Sequence, residues 1–160
     1  MRQKSSPMEL CYAQVILSGM VICGVRFGPL LSLILEPSPQ VASSDLANGE
    51  ASLLLSSRWK LVSTDEFQKD KDLTCEALSR EQQLNLLSSC ADETIVDVDL
   101  SLEGPTLILF LSNAKTMVIN GFDEQYETWS FALRHADGGK TIQVFAMPAG
   151  QIACLNTYWK

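Results

Sequence analysis

The chain is predicted to fold as an α+β protein, with a mostly antiparallel sheet of about six to eight strands, an N-terminal helix and a second short helix. Three observations carry that expectation. The second half of the sequence is a succession of short alternating or apolar runs separated by turn residues. Two stretches, "SPME" and "SREQ", hold the residue types that start helices. No repeat at a fixed period is present, and 160 residues suit one domain with one substantial core.

Each element has its own reason. Ser6 can cap, Pro7 fits a first helical position and Glu9 closes a capping box. Met8, Cys11, Tyr12, Val15 and Ile16 then recur at helical spacing up to a stop at Gly19, so a helix is expected near residues 7–18, with 1–6 disordered before it. "ICGVRFGPLLSLILEP" is β-branched and Leu-rich and predicts strand with a bulge or bend at Gly28-Pro29. Two prolines, serines and an Asn-Gly step make residues 36–49 a surface loop. From Glu50 to Val62 the pattern alternates, with Ala51, Leu53, Leu55, Trp59 and Leu61 on one face, as in one long half-buried strand.

Residues 64–78 mix both charges and predict a loop, and Ser79 with Gln82 predicts a short helix near 80–89. In "IVDVDLSL" Val96, Val98, Leu100 and Leu102 are expected to face inward, with Asp97, Asp99 and Ser101 outward. "TLILFLS" is apolar throughout, as in a strand buried on both faces. "SNAK" turns the chain into "TMVING"; "YETWSFALRH", "ADGGK" and "TIQVFAM" form a hairpin; "GQIACLNTYW" supplies a last strand.

The balance of 12 basic and 19 acidic side chains gives a formal net charge of −7. An acidic chain repels phosphate backbones, which argues against nucleic acid as a partner and for docking to basic proteins. Five cysteines without a C-x-x-C pair predict free thiols in a reducing compartment, and Cys11, Cys23 and Cys154 lie in apolar neighbourhoods where thiols are usually buried. The run from Val15 to Val25 imitates a signal peptide, but Pro7, Glu9 and Arg26 interrupt it and it is too short to span a bilayer. A cytoplasmic protein without a membrane partner is therefore expected.

The catalytic inventory is thin. His135 is the only histidine, lies at the edge of a turn and has no local triad signature, so a solvent-facing strand-end residue is the ordinary reading. Asp97 and Asp99 share one side of a strand, with carboxylates roughly 7 Å apart, a spacing open to cation binding but more often just a solvated sheet face. "ADGGK" lacks the spacing of a phosphate loop. No cofactor and no metal are expected, and a protein that binds fits better than an enzyme.

Three spaced features, "RFG" (Arg26 to Gly28), "GEASLLLSSRWKLV" (Gly49 to Val62) and "YETWSF" (Tyr126 to Phe131), resemble those of small bacterial α+β immunity proteins, the antidotes of secreted polymorphic toxins. The group places a histidine after the strand leucine and an arginine after each tryptophan; Leu54, Lys60 and Ser130 stand there in this chain, so roles tied to those residues do not carry over. The resemblance implies a non-catalytic, cytoplasmic antidote, monomeric rather than oligomeric, that occludes the active site of a cognate toxin with a basic cleft. Asp65, Glu66, Asp123, Glu124 and Tyr126 are the expected partner-binding residues, the acids as mimics of an anionic substrate and the tyrosine as an anchor. A β-rich small-molecule or lipid carrier, and an enzyme with a non-local site around His135, are the competing expectations.

Overall fold

The computed structural model describes residues 14, 16–37, 49–55, 58–101, 105–123, 128–135, 140–147 and 151–158. The expected disordered 1–6, the first turns of the N-terminal helix, most of the 36–49 loop and the "ADGGK" turn lie outside them. The strands are β1 (Met20–Arg26), β2 (Leu31–Pro37), β3 (Gly49–Leu55), β4 (Trp59–Ser63), β5 (Ile95–Leu100), β6 (Leu107–Leu111), β7 (Lys115–Ile119), β8 (Trp129–His135), β9 (Lys140–Met147) and β10 (Gln151–Tyr158). The helices are α1 (Thr64–Lys69) and α2 (Arg80–Ser88). All pairings are antiparallel, in a six-stranded sheet of order β1-β2-β3-β8-β9-β10 and a four-stranded sheet of order β4-β7-β6-β5. The α+β expectation stands; the count of six to eight strands falls short of these ten.

The difference arises where one expected strand is two. Glu50 to Val62 alternates without a sequence break, yet β3 pairs with β2 and β8 in the larger sheet while β4 pairs with β7 in the smaller. The facing survives the switch. Ala51, Leu53, Leu55 and Trp59 are all buried, so their parity aims at the same core from two sheets. Likewise "ICGVRFGPLLSLILEP" is a hairpin of β1 and β2, with Gly28-Pro29 in its turn, and the bulge falls at Cys23 between Ile22 and Gly24.

One continuous cluster fills the space between the sheets. It takes Leu33, Leu35 and Leu53, with Trp129, Phe131 and Leu133, from the larger sheet, and Trp59, Leu107, Leu109, Met117 and Ile119 from the smaller. Trp129 and Phe131, two apart on β8, stack with ring centroids 6.1 Å apart, and the Trp129 indole N–H donates to the Pro105 carbonyl at 2.8 Å. The sheets also meet at one seam: Val21 and Thr94 form a bridge, Gly19 N–H donates to the Ile95 carbonyl, and Ile22 N–H to that of Glu93. Gln14, Ile16 and Leu17 are helical and Gly19 has φ of 86°, the left-handed stop expected of that glycine.

The outer face of the smaller sheet is covered too. Residues 64–78 were expected as a loop, but 64–69 form α1. Six residues are far too few to hold a helix alone. Phe67 supplies the missing term by packing on Ile108 and Val118, and its ring meets Phe110 edge-on at 6.1 Å. Burying one such side chain contributes about 2 to 3 kcal/mol, enough to hold a single short helix against the sheet. A lone apolar residue among charges has no period to read, which is why the sequence looked irregular there. The unbroken run "TLILFLS" is accounted for: Leu107, Leu109 and Leu111 enter the central core and Ile108 faces α1.

Helix α2 follows its expectation closely. Gln82 N–H donates to Ser79 Oγ at 3.1 Å, and Ser79 N–H donates to Gln82 Oε1 at 2.9 Å, completing the capping box.

Candidate protein-binding surface

The expected binding residues divide between two places. Asp65 and Glu66 occupy the first turn of α1, both exposed, where acids also suit the positive end of the helix. Asp123 follows β7 in a short loop and is half-buried, while Glu124 and Tyr126 lie outside the described residues. The β4–β7 ladder sets Ser63 opposite Lys115 and Trp59 opposite Ile119. The two acidic groups therefore leave from opposite ends of that strand pair, about 14 Å apart along it. Asp65 and Glu66 thus follow β4 at one end of the pair, and Asp123 follows β7 at the other.

Segment 70–75 runs back from α1 along the smaller sheet. Lys60 Nζ lies 3.8 Å from Asp72, and Thr74 N–H donates to Asp72 Oδ1 at 2.9 Å. That backbone bond, with the Thr74 hydroxyl and the Lys60 charge, holds the Asp72 carboxyl below its usual range. Cys75 Sγ donates to the Leu73 and Val118 carbonyls, and burial raises its thiol against the pull of Lys60. It is no activated nucleophile.

The remaining chemical candidates are dispersed. His135 ends β8 opposite Gly49, a strand-end position as expected. Cys90 is fully buried after α2 and its thiol is raised mainly by desolvation. Cys23, expected as a buried hydrophobe, is exposed, because the bulge turns it out of the alternation. Asp97 and Asp99 are exposed on β5, and each accepts the backbone N–H of the following residue at 2.8 Å. Val96 was expected inward, but the bulge between Ile95 and Asp97 leaves it 56% exposed, while Val98 and Leu100 face in as expected. Among the described residues no group of three or more His, Cys, Asp or Glu side chains is placed to hold a metal ion.

One surface feature lies outside the expected binding residues. The β1–β2 turn projects Phe27 and Leu30, 52% and 47% exposed, and Arg80 from the start of α2 lies over the Phe27 ring at 5.8 Å. "RFG" was singled out for its resemblance to other proteins, whereas its signal was physical: two large apolar residues flanking Gly-Pro, where turns are ordinarily polar.

Fold and surface define a two-sheet antiparallel α+β protein with exposed acidic and apolar positions on separate elements. No family model matches the chain, and searches of curated proteins and of solved structures gave no match. No helix among the described residues is long and apolar enough to cross a membrane.

Proposed function

We propose that the chain is a non-catalytic antidote of the immunity type, which binds a cognate bacterial toxin in the cytoplasm and occludes its active site. The observation that carries the reading is the pair Asp65–Glu66, both exposed on a helix pinned to the sheet by the buried Phe67. Two carboxylates on a fixed backbone can meet a basic cleft without first being ordered, which lowers the entropic cost of binding. The net charge of −7 speeds encounter with such a cleft. Asp123, Glu124 and Tyr126 are the further contact residues in this reading.

The ordinary role of acids at a helix start is to complement its dipole, and the experiment separates that role from binding. The product of the neighbouring reading frame is co-expressed with this chain, and growth rescue from its toxicity is scored. Wild type rescues; the double variant Asp65→Asn, Glu66→Gln associates about three- to tenfold more slowly and shows a flatter salt dependence. Unchanged association by a folded variant removes α1 from the interface. Absence of rescue by wild type removes the antidote reading itself.

A further inference from the structure

Among the described residues the exposed large apolar side chains are Phe27, Leu30, Val96 and Phe122; Phe122 apart, they fall at two places whose neighbouring charges are complementary. Phe27 and Leu30 project from the β1–β2 turn beside Arg26 and Arg80; both arginines are exposed and form no ion pair among the described residues. Val96 projects from β5 beside Asp97 and Asp99, both exposed. β1 and β5 run antiparallel at the seam, where Gly19 meets Ile95 and Val21 meets Thr94. The Val96 edge therefore lies at the level of Gly19, and the Phe27 tip lies about 25 Å further along β1.

We infer that the protein pairs with a second copy of itself through this seam: the Arg26–Leu30 tip of each copy docks on the Val96–Asp99 edge of the other. A two-fold axis between two antiparallel copies satisfies both contacts at once, which closes the assembly as a dimer instead of propagating a filament. Each contact sets apolar groups against apolar groups and arginines against carboxylates. The tip is stiffened by Pro29 and by the arginine over the Phe27 ring, so little freedom is lost on docking. The repulsion between two acidic chains is screened over about 8 Å at physiological salt, whereas the arginine–aspartate contacts act at closer range. The α1 acids belong to the opposite side of the smaller sheet's strand order, next to β4, and stay free. The inference departs from the monomer expected at the outset and stands apart from the toxin-binding reading.

The test is sedimentation and light scattering of the full chain from low micromolar to near-millimolar concentration. A concentration-dependent dimer is expected, with Phe27→Ser weakening it about thirtyfold. Charge reversals Arg80→Glu and Asp97→Lys each weaken it about tenfold, and their combination recovers most of that loss. Phe27, Arg80 and Asp97 are exposed, and unchanged circular dichroism and melting confirm that the variants fold. A monomer throughout the range overturns the inference. So does a dimer that Phe27→Ser and Asp97→Lys leave intact, because that dimer uses another face.

Discussion

Gly121 sits where no side chain fits: a Cβ built on it would lie 1.8 Å from the Pro105 carbonyl oxygen. The opposing atoms are backbone, so the clash cannot be relieved by a rotamer change. Gly121→Ala should cost about 3 kcal/mol in urea denaturation, because Pro105 and Thr106 must move and the Trp129 indole bond to Pro105 goes with them. The opposite sign is expected at Thr128. Its hydroxyl is fully buried and has no hydrogen-bond partner among the described residues. Thr128→Val keeps the shape and removes an unsatisfied polar group, so it should raise stability by about 1 kcal/mol. A loss of stability would mean that the hydroxyl has a partner. Neither residue announces itself in the sequence, where Gly121 is one turn glycine among several and Thr128 one strand threonine. Both depend on contacts between segments distant along the chain.

The two helices answer different physics, and their predictions differ accordingly. In α2 the cap is local, and Ser79→Ala should cost about 1 kcal/mol through loss of the reciprocal bonds with Gln82. In α1 the N-cap residue Ser63 makes no side-chain cap bond, and docking rests on Phe67. Phe67→Ala should therefore release α1 locally before it unfolds the chain, seen as faster hydrogen exchange at the Asp70 amide, which bonds to Glu66, with β6 and β7 still protected. Uniform loss of protection across those strands would show instead that α1 is part of the global unit. The contrast also explains what was legible. The capping box lies within four consecutive residues and could be read directly. The docking of Phe67 on Ile108 and Val118 spans more than forty positions and could not. The same holds for candidate binding residues: Asp65 and Glu66 are exposed as expected, but their distance from Asp123 is set by the β4–β7 register, which no local pattern encodes.

At the scale of the whole molecule, alternation gave the inner faces of β3, β4 and β8 but not the sheet each belongs to. Ala51, Leu53, Leu55 and Trp59 keep one parity across a change of sheet, whereas the bulges at Cys23 and Val96 turn those two side chains outward. The packing of both faces of the smaller sheet has a consequence for stability against pH. Cys90, in the central core, and Cys75, against the outer face of the smaller sheet, both have thiols raised above the ordinary 9.0, chiefly by burial. The folded state thus holds these protons to higher pH than the unfolded chain does. Their contribution is complete below about pH 9 and is lost as pH rises from there through the folded values, since the unfolded chain ionises first. Cys90→Ala lowers stability at neutral pH by leaving a small cavity, yet it removes one of the two linked protons. Urea midpoints measured from neutral pH to about 10.5 should therefore fall less steeply for the variant than for wild type. Every other ionisable group is common to both proteins, so the difference between the two slopes isolates the buried thiol. Parallel slopes would place Cys90 in contact with solvent and contradict its position in the core.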